Sequence, residues 1–503
     1  MRASVLAATA ATILAGTSTA RAFCGFYVGG AGAKMFNNAT EVVLMRHGTT
    51  TVLSMQNNYQ GPPEHFALVV PVPVVIKESQ VKTLPRELFD KVDTLGAPRL
   101  VEYWEQDPCQ PRYAEREMYA PTAMTDKAEA DSDSGDDRDY KVKVEARFSV
   151  GEYNIEVLSA QESTGLDRWL RDHKYKIPEG AEPLLRPYVE QGTKWFVAKV
   201  DPKKVRFEKG MATLSPLRFH YDSPEFTLPI RLGLANSRGK QDLIVNILAL
   251  GTRYEVANYP NVTIPTNLRV HDAVRGHFGE FYAALFDHAL ARVPNAVVTE
   301  YSWDAMSCDP CPGPTLDAND IATFGGDVIN KLYKGADYGF TLTRLHARYG
   351  KEVKNDLVFR AVEGIVGGTG IPNQRGEMMS DNQFGNGNMF QGRYVILHPW
   401  TGALSCEKPI RGQWGGPPNG QQLALEPAKN LAFAQRGNVK LASLVADDVP
   451  QIGVLASKPQ RMPGAIRQPQ GCGCRAQSSA QLFVGLAALG FVLRRRRSRN
   501  GRA

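Results

Sequence analysis

The chain has 503 residues, 43% hydrophobic and 22% charged, with a formal net charge of +7. That charge does not mark a nucleic-acid binder, because nine of the 59 basic residues (Arg2, Arg21, Arg475, Arg494 to Arg497, Arg499 and Arg502) sit in the two end segments. The remaining 50 face 52 acids, no Lys/Arg stripe with interleaved aromatics is left to hold phosphates, and the apolar content suffices for a globular core.

In chain order, Arg2, an apolar run from Ala3 to Gly16 and the small-residue triplet Ala20-Arg21-Ala22 predict a secretory signal peptide over 1–22, cleaved after Ala22. A lipoprotein signal at Cys24 fits poorly because bulky Phe23 precedes it. Glu41–Arg46 and Thr50–Met55 predict a hairpin turning at His47-Gly48. Phe66–Val75, Val-rich but broken by Pro71 and Pro73, predicts an edge strand. Pro85–Leu95 carries Leu88, Phe89, Val92 and Leu95 at helical spacing. The expected organisation is a β-rich lobe over 23–120, an acidic loop over 121–139, an α+β region over 140–444, a Pro/Gln-rich stalk over 445–471 and a tail over 472–503.

Within 140–444 the expected strands are 140–158, 194–200, 226–234, 242–250, 337–346, 357–366 and 393–399. The expected helices are 165–171, 181–190 (broken by Pro183 and Pro187), 278–293 and 319–334, and 368–392 reads as a long loop. The fold class is α+β and strand-dominated. The tail reads Cys472-Gly473-Cys474, an apolar run from Leu482 to Leu493, then Arg494-Arg495-Arg496-Arg497. Twelve apolar residues make a helix of about 18 Å, short of the ~30 Å hydrocarbon core. The Arg cluster holds its end in the cytoplasm, which places the ectodomain outside.

Candidate chemistry is sparse. Arg46-His47-Gly48-Thr49 resembles the Arg-His-Gly signature of histidine phosphatases, where the His accepts a phosphoryl group. That chemistry needs a helix after the His, whereas Thr49, Thr50 and Thr51 favour a strand. Cys308-Asp309-Pro310-Cys311 is a CxxC whose redox use needs the first Cys at a helix N-terminus; Pro312-Gly313-Pro314 follows, so a structural disulfide loop is expected. The ectodomain cysteines, Cys24, Cys109, Cys308, Cys311 and Cys406, are odd in number, and Cys24 with Cys109 is the preferred pair. His271, His277 and His288 do not make a metal cluster: His277 and His288 lie about 16 Å apart along one helix. Asp131-x-Asp133-x-Gly135-Asp136 lacks the twelfth-position Glu of a calcium loop. No metal, cofactor or nucleic acid is implied. His398-Pro-Trp-Thr-Gly402 and Arg411-Gly-Gln-Trp-Gly-Gly-Pro-Pro418 read as ordered loops packed by Trp400 and Trp414, or as aromatic pieces lining a groove.

Two resemblances emerge. The Cys-Gly-Cys, short apolar helix and Arg cluster resemble the C-terminal sorting domain of myxobacterial surface proteins. This implies removal of the tail near Cys472 or Cys474 by a membrane-embedded sorting protease, with lipid on the Cys, after export by the secretion machinery. From about Phe23 to Asn430 the chain resembles an uncharacterised family of secreted bacterial proteins, a domain of unknown function. The residues are Cys24-Gly-Phe-Tyr-Val28, Gln56-Asn-Asn-Tyr-Gln-Gly-Pro-Pro63, Pro98-Arg-Leu-Val-Glu-Tyr-Trp-Glu-Gln-Asp-Pro-Cys109 and Cys308-Asp-Pro-Cys311. Two functional readings follow for this envelope protein. One is a non-enzymatic binding, adhesion or structural role; the other is an envelope enzyme using His47, or thiol-redox chemistry at Cys308/Cys311.

Overall fold

The computed structural model describes residues 26–28, 39–56, 67–110, 141–173, 175, 177, 180–208, 211–236, 239–333, 339–370, 378–418, 425–429, 436–437 and 439–458. Residues 1–462 form one compact unit and 463–503 a second, which lies outside the described residues. In chain order the main elements are β1 (Ala39–His47), β2 (Thr50–Gln56), β3 (Ala67–Val72), α1 (Arg86–Gly96), β4 (Arg99–Glu105), β5 (Val142–Val150) and β6 (Tyr153–Ala160). There follow α2 (Ser163–Asp172), α3 (Glu182–Glu190), β7 (Lys194–Val200), β8 (Leu217–Asp222), β9 (Gln241–Leu250), α4 (Phe278–Arg292), β10 (Val297–Asp304), β11 (Phe340–Tyr349) and β12 (Arg393–His398). The chain is strand-rich, and no described helix is long and apolar enough to cross a membrane.

The large sheet runs β10-β11-β9-β1-β2-β8 through its centre, with β9 and β1 parallel and the other central pairs antiparallel. β9 is buried on both faces because both are covered. Leu243, Val245 and Ile247 pack in one core with Leu68, Val70, Ile155, Val157, Phe196 and Ala198 from a second sheet, in which β3, β7, β6 and β5 are neighbours. Leu248 on the opposite face packs with Val43, Met45 and Leu342 under Leu88, Phe89, Val92 and Leu95 of α1. The outer face of the second sheet buries Trp169, Leu170, Leu185 and Tyr188 of α2 and α3. Helices, sheet, sheet and helix therefore stack as layers, each element burying its apolar stripe. Strands from before residue 57 and after residue 216 share the large sheet, so the lobe expected over 23–120 and the region over 140–444 build one sheet together.

The expected hairpin forms, with His47 opposite Thr50 and Gly48 at φ +55°. Several expectations change. β3 is not an edge strand: Phe26–Val28 pairs with it on one side and β7 on the other. The pairing with Phe26–Val28 covers only Ala67–Val69, so among the described residues Pro71 has no ladder partner on that side. Helix α3 runs unbroken over Glu182–Glu190: Pro183 lies in the first turn, where its missing N–H costs nothing, and Pro187 is accommodated in the interior. The run 226–234 is a strand only at Thr227–Leu228 and then a 3-10 helix, Arg231–Asn236. Pro229 cannot extend the ladder, and Asp356 draws in the Ile230 N–H and the Arg231 guanidinium. The 368–392 stretch holds short strands at Gln383–Gly385 and Met389–Gln391. The stalk expected from 445 is folded as far as 458. Val445, Val449, Ile452 and Val454 are buried, and Ala446 N–H donates to Arg269 O.

A π-helical turn, Ala322–Gly326, covers the start of β2. Gly325 there has φ +143°, and a Cβ would lie 2.8 Å from Val52 Cγ1, so only glycine fits.

Candidate functional site

His47 and Arg46 do not form a phosphate cradle. They sit at the tip of the β1–β2 hairpin, and Arg46 donates to Thr49 O, Thr51 Oγ1, Ser223 O and Pro224 O at 2.7–3.2 Å. Its guanidinium also lies over Phe226. Arg46 fastens the hairpin tip to the turn after β8, and no helix follows His47.

The cysteines pair as Cys109–Cys406, with 5.5 Å between Cα atoms, and Cys308–Cys311 at 4.9 Å. The preferred Cys24–Cys109 pair is therefore corrected: Cys109 sits just past β4, beside the loop that returns after β12. The expected 308–311 disulfide loop is present. Cys24, the cleavage residues Ala20 and Ala22, the acidic Asp131 segment, Cys472, Cys474 and Arg494 to Arg497 lie outside the described residues. His288 Nε2 is 2.8 Å from Ile452 O, His271 precedes a 3-10 turn, and His277 precedes α4. No three described His, Cys, Asp or Glu side chains are placed to hold a metal ion.

Sequence reading missed a buried ionic network under α4. His346 on β11 places Nδ1 2.7 Å from Glu300 Oε1 and Nε2 3.0 Å from Asp242 Oδ1. Arg344 lies 2.8 Å from both Glu300 and Asp93, and Arg348 and Arg436 hold Asp242. A β-bulge between Thr299 and Tyr301 brings Glu300 to this face. Burial opposes the imidazolium, but the Glu300 and Asp242 carboxylates outweigh it and hold His346 above its ordinary value. With both ring nitrogens facing carboxylates and Phe286 stacked at 4.0 Å, His346 is a fixed cation with no ring nitrogen left for a substrate. No motif marks this network, because its members lie on separate strands; polar residues inside otherwise apolar strand runs were the available signal.

The open site is a cleft of about 560 Å³ beside the small sheet that contains β4 and β12. These two strands are parallel, with Arg393 opposite Arg99 and His398 opposite Trp104. Loops beyond their carboxyl ends build one lip, as in open parallel sheets generally. Glu105, 6% exposed, accepts from Trp400 N (2.9 Å), Gly412 N (2.7 Å) and Arg411 Nη2 (2.9 Å). Burial raises its carboxyl, but these donors outweigh it and keep it below the usual range. Cys109–Cys406 and the Ile410 N–H to Pro108 O bond fix the same lip. The opposite wall carries Arg269, paired with Asp447 at 3.3 Å, and Asp448. Leu397, Pro399, Arg411, Gly412 and Trp414 line the cleft, so the two aromatic loops are ordered and form a groove.

Beside it, Glu102 accepts from Arg275 Nε at 2.7 Å and lies 2.7 Å from His398 Nε2, while Trp104 stacks on His398 at 4.6 Å. These partners outweigh the burial that would raise Glu102 and hold it below its ordinary value.

The family model for an uncharacterized protein conserved in bacteria, DUF2330, matches residues 18–360. The chain belongs to that family. The DUF2330 match spans the hairpin, the buried network except Arg436, β4 and the 308–311 loop, and it ends before the 378–449 residues that supply most of the cleft. No curated relative and no solved structure matches the chain.

Proposed function

We propose that this DUF2330 protein is an exported envelope protein whose cleft beside β4 and β12 serves binding rather than catalysis. The signal segment carries it out of the cytoplasm. The Cys472/Cys474 tail directs a sorting protease to hold it at the surface. The observation that carries the binding reading is the construction of the lip: one buried carboxylate, Glu105, organises two loops that a disulfide also pins. A preformed lip of this kind lowers the ordering cost of binding. Within the cleft Arg411 is paired with Glu105 and Arg269 with Asp447, so charge is largely self-compensated and Trp414 supplies apolar surface. A neutral, polyhydroxylated ligand of the sugar class suits that lining.

The test is titration of the purified ectodomain with a panel of neutral oligosaccharides by calorimetry, beside Trp414→Ala. Saturable binding lost in the variant supports the reading; no binding across the panel sinks it. Localisation is tested separately by mass spectrometry of surface-released protein. A mature N-terminus at Phe23 and a C-terminus near Cys472 are expected, whereas an intact Arg494–Arg497 segment on surface material refutes sorting.

A further inference from the structure

The Cys308–Cys311 loop sits on two buried guanidiniums. Arg99 and Arg393 are each 0% exposed. Arg99 donates to Pro310 O (2.8 Å), Leu95 O (2.5 Å) and Ala97 O (3.4 Å). Arg393 donates to Asn267 Oδ1, Tyr103 OH and Thr369 O. Neither has an ion-pairing carboxylate among the described residues, in contrast to buried Arg344, which has two. Burial pushes Arg99 down to about 10 and also lowers Arg393. Among the described residues, the carboxylate whose charge acts on both guanidiniums is Asp309, inside the CxxC itself. Its carboxylate accepts from Gly370 N at 3.2 Å, and a Cβ on Gly370 would lie 3.0 Å from Arg393 Nη1 and 3.3 Å from Asp309 Oδ2. These two cations and one anion of the described residues leave about one unit of positive charge behind the loop. Gln391 and Arg99 hold the Asp309 and Pro310 carbonyls, so the loop cannot move away from that charge. Cys311 is exposed, and Cys308 packs partly into the core.

A buried cation without a carboxylate is costly, and a thiolate formed beside it is stabilised. We propose that Cys308–Cys311 is a thiol–disulfide exchange site acting on exposed dithiols of envelope proteins, with Arg99 and Arg393 supplying the potential that a helix N-terminus supplies elsewhere. A client thiolate attacks the Cys311 sulfur. The bond between the two cysteine sulfurs breaks, and Cys308 leaves as a thiolate facing the guanidiniums. The second client thiolate then attacks the client sulfur of the mixed disulfide and releases Cys311 as a thiolate. The client dithiol is oxidised by two electrons to a disulfide, Cys308/Cys311 is reduced by two, and the two client protons pass to solvent.

The site is tested in the native ectodomain with both disulfides intact. Dithiothreitol is added, the reaction is quenched with iodoacetamide at intervals, and the alkylated peptides are mapped. Cys308–Cys311 is expected to open at least about tenfold faster than Cys109–Cys406. In the reduced protein, half-maximal alkylation of Cys308 is expected at least one pH unit below the ~8.5 of an ordinary thiol. Arg99→Met should raise that midpoint. Because Arg99→Met removes a buried group and risks the fold, Asp309→Asn is the second variant, and it should lower the midpoint further. Equal opening rates, a midpoint at or above an ordinary thiol's, or an Asp309→Asn midpoint unchanged from the parent would each overturn the proposal.

Discussion

Replacing Glu300 with Gln tests the buried network most directly. The Glu300 carboxylate serves Arg344 Nε at 2.8 Å and His346 Nδ1 at 2.7 Å, and all three side chains are at most 1% exposed. Gln keeps the shape but removes the charge, so a guanidinium and an imidazolium lose a shared counter-ion that water cannot replace. Two charge-assisted bonds at ~1.5–3 kcal/mol each, and the general cost of orphaning a buried charge, put the loss at about 3–5 kcal/mol. Read by urea unfolding followed by circular dichroism, this lowers the midpoint by roughly 1 M or more at an m-value of about 3 kcal/mol/M. The pH dependence supplies an independent check. His346 is held above its ordinary value in the folded protein, so its contribution is complete below the unfolded His value near ~6.5 and is lost as pH rises through the folded value. Parent stability minus that of His346→Gln should therefore shrink as pH rises above about 6.5. A Glu300→Gln loss under about 1 kcal/mol, or a pH-independent difference for His346→Gln, would refute the charged-network account.

Other outcomes follow from single contacts. Arg46→Ala should destabilise by about 1–3 kcal/mol, because four acceptors at the hairpin tip lose their donor; a thermal melt unchanged from the parent would contradict the clamp role. Gly325→Ala combines a positive φ with a Cβ 2.8 Å from Val52 Cγ1, so a loss of at least about 1–3 kcal/mol is expected in urea titration. An ectodomain ending at Lys458 should match the longer protein in its melting curve, whereas one ending at Lys440 removes buried Val445, Val449, Ile452 and Val454 and should melt lower. Equal melting of the two truncations would show that the segment is not part of the core.

Local pattern made much of the fold legible. The hairpin at Gly48, α1 and the run at Lys194–Val200 follow from period and turn chemistry, which act within a few residues. Long-range pairing was not legible. Nothing near Pro71 announces that β3 lies between Phe26–Val28 and β7, and nothing near Cys109 points to Cys406. The Pro/Gln composition of 445–471 suggested a solvated stalk, but Val445, Val449, Ile452 and Val454 at its start are buried, and backbone there bonds His271 and His288, which composition does not describe. At the candidate site, the aromatic loops after His398 and Arg411 were visible as motifs. Their organiser, Glu105, was not, because its role comes from position at the end of β4. Arg99 and Arg393 were likewise invisible as partners of the 308–311 loop.

The Cys109–Cys406 bond spans a sequence separation of 297 residues and joins the end of β4 to the loop after β12. For a protein held at one end while its partner pulls elsewhere, this is a mechanical bypass. Tension applied between the start of β1 and residue 458 travels along the chain to Cys109, across the sulfurs and onward from Cys406. The intervening residues, including β5–β12 and the buried His346, Glu300 and Asp242, stay off the load path while that bond is intact. Stretching then extends only the outer segments, and in a pulling experiment reduction of this one bond should roughly triple or more the length of chain released, at ~3.3–3.6 Å per residue.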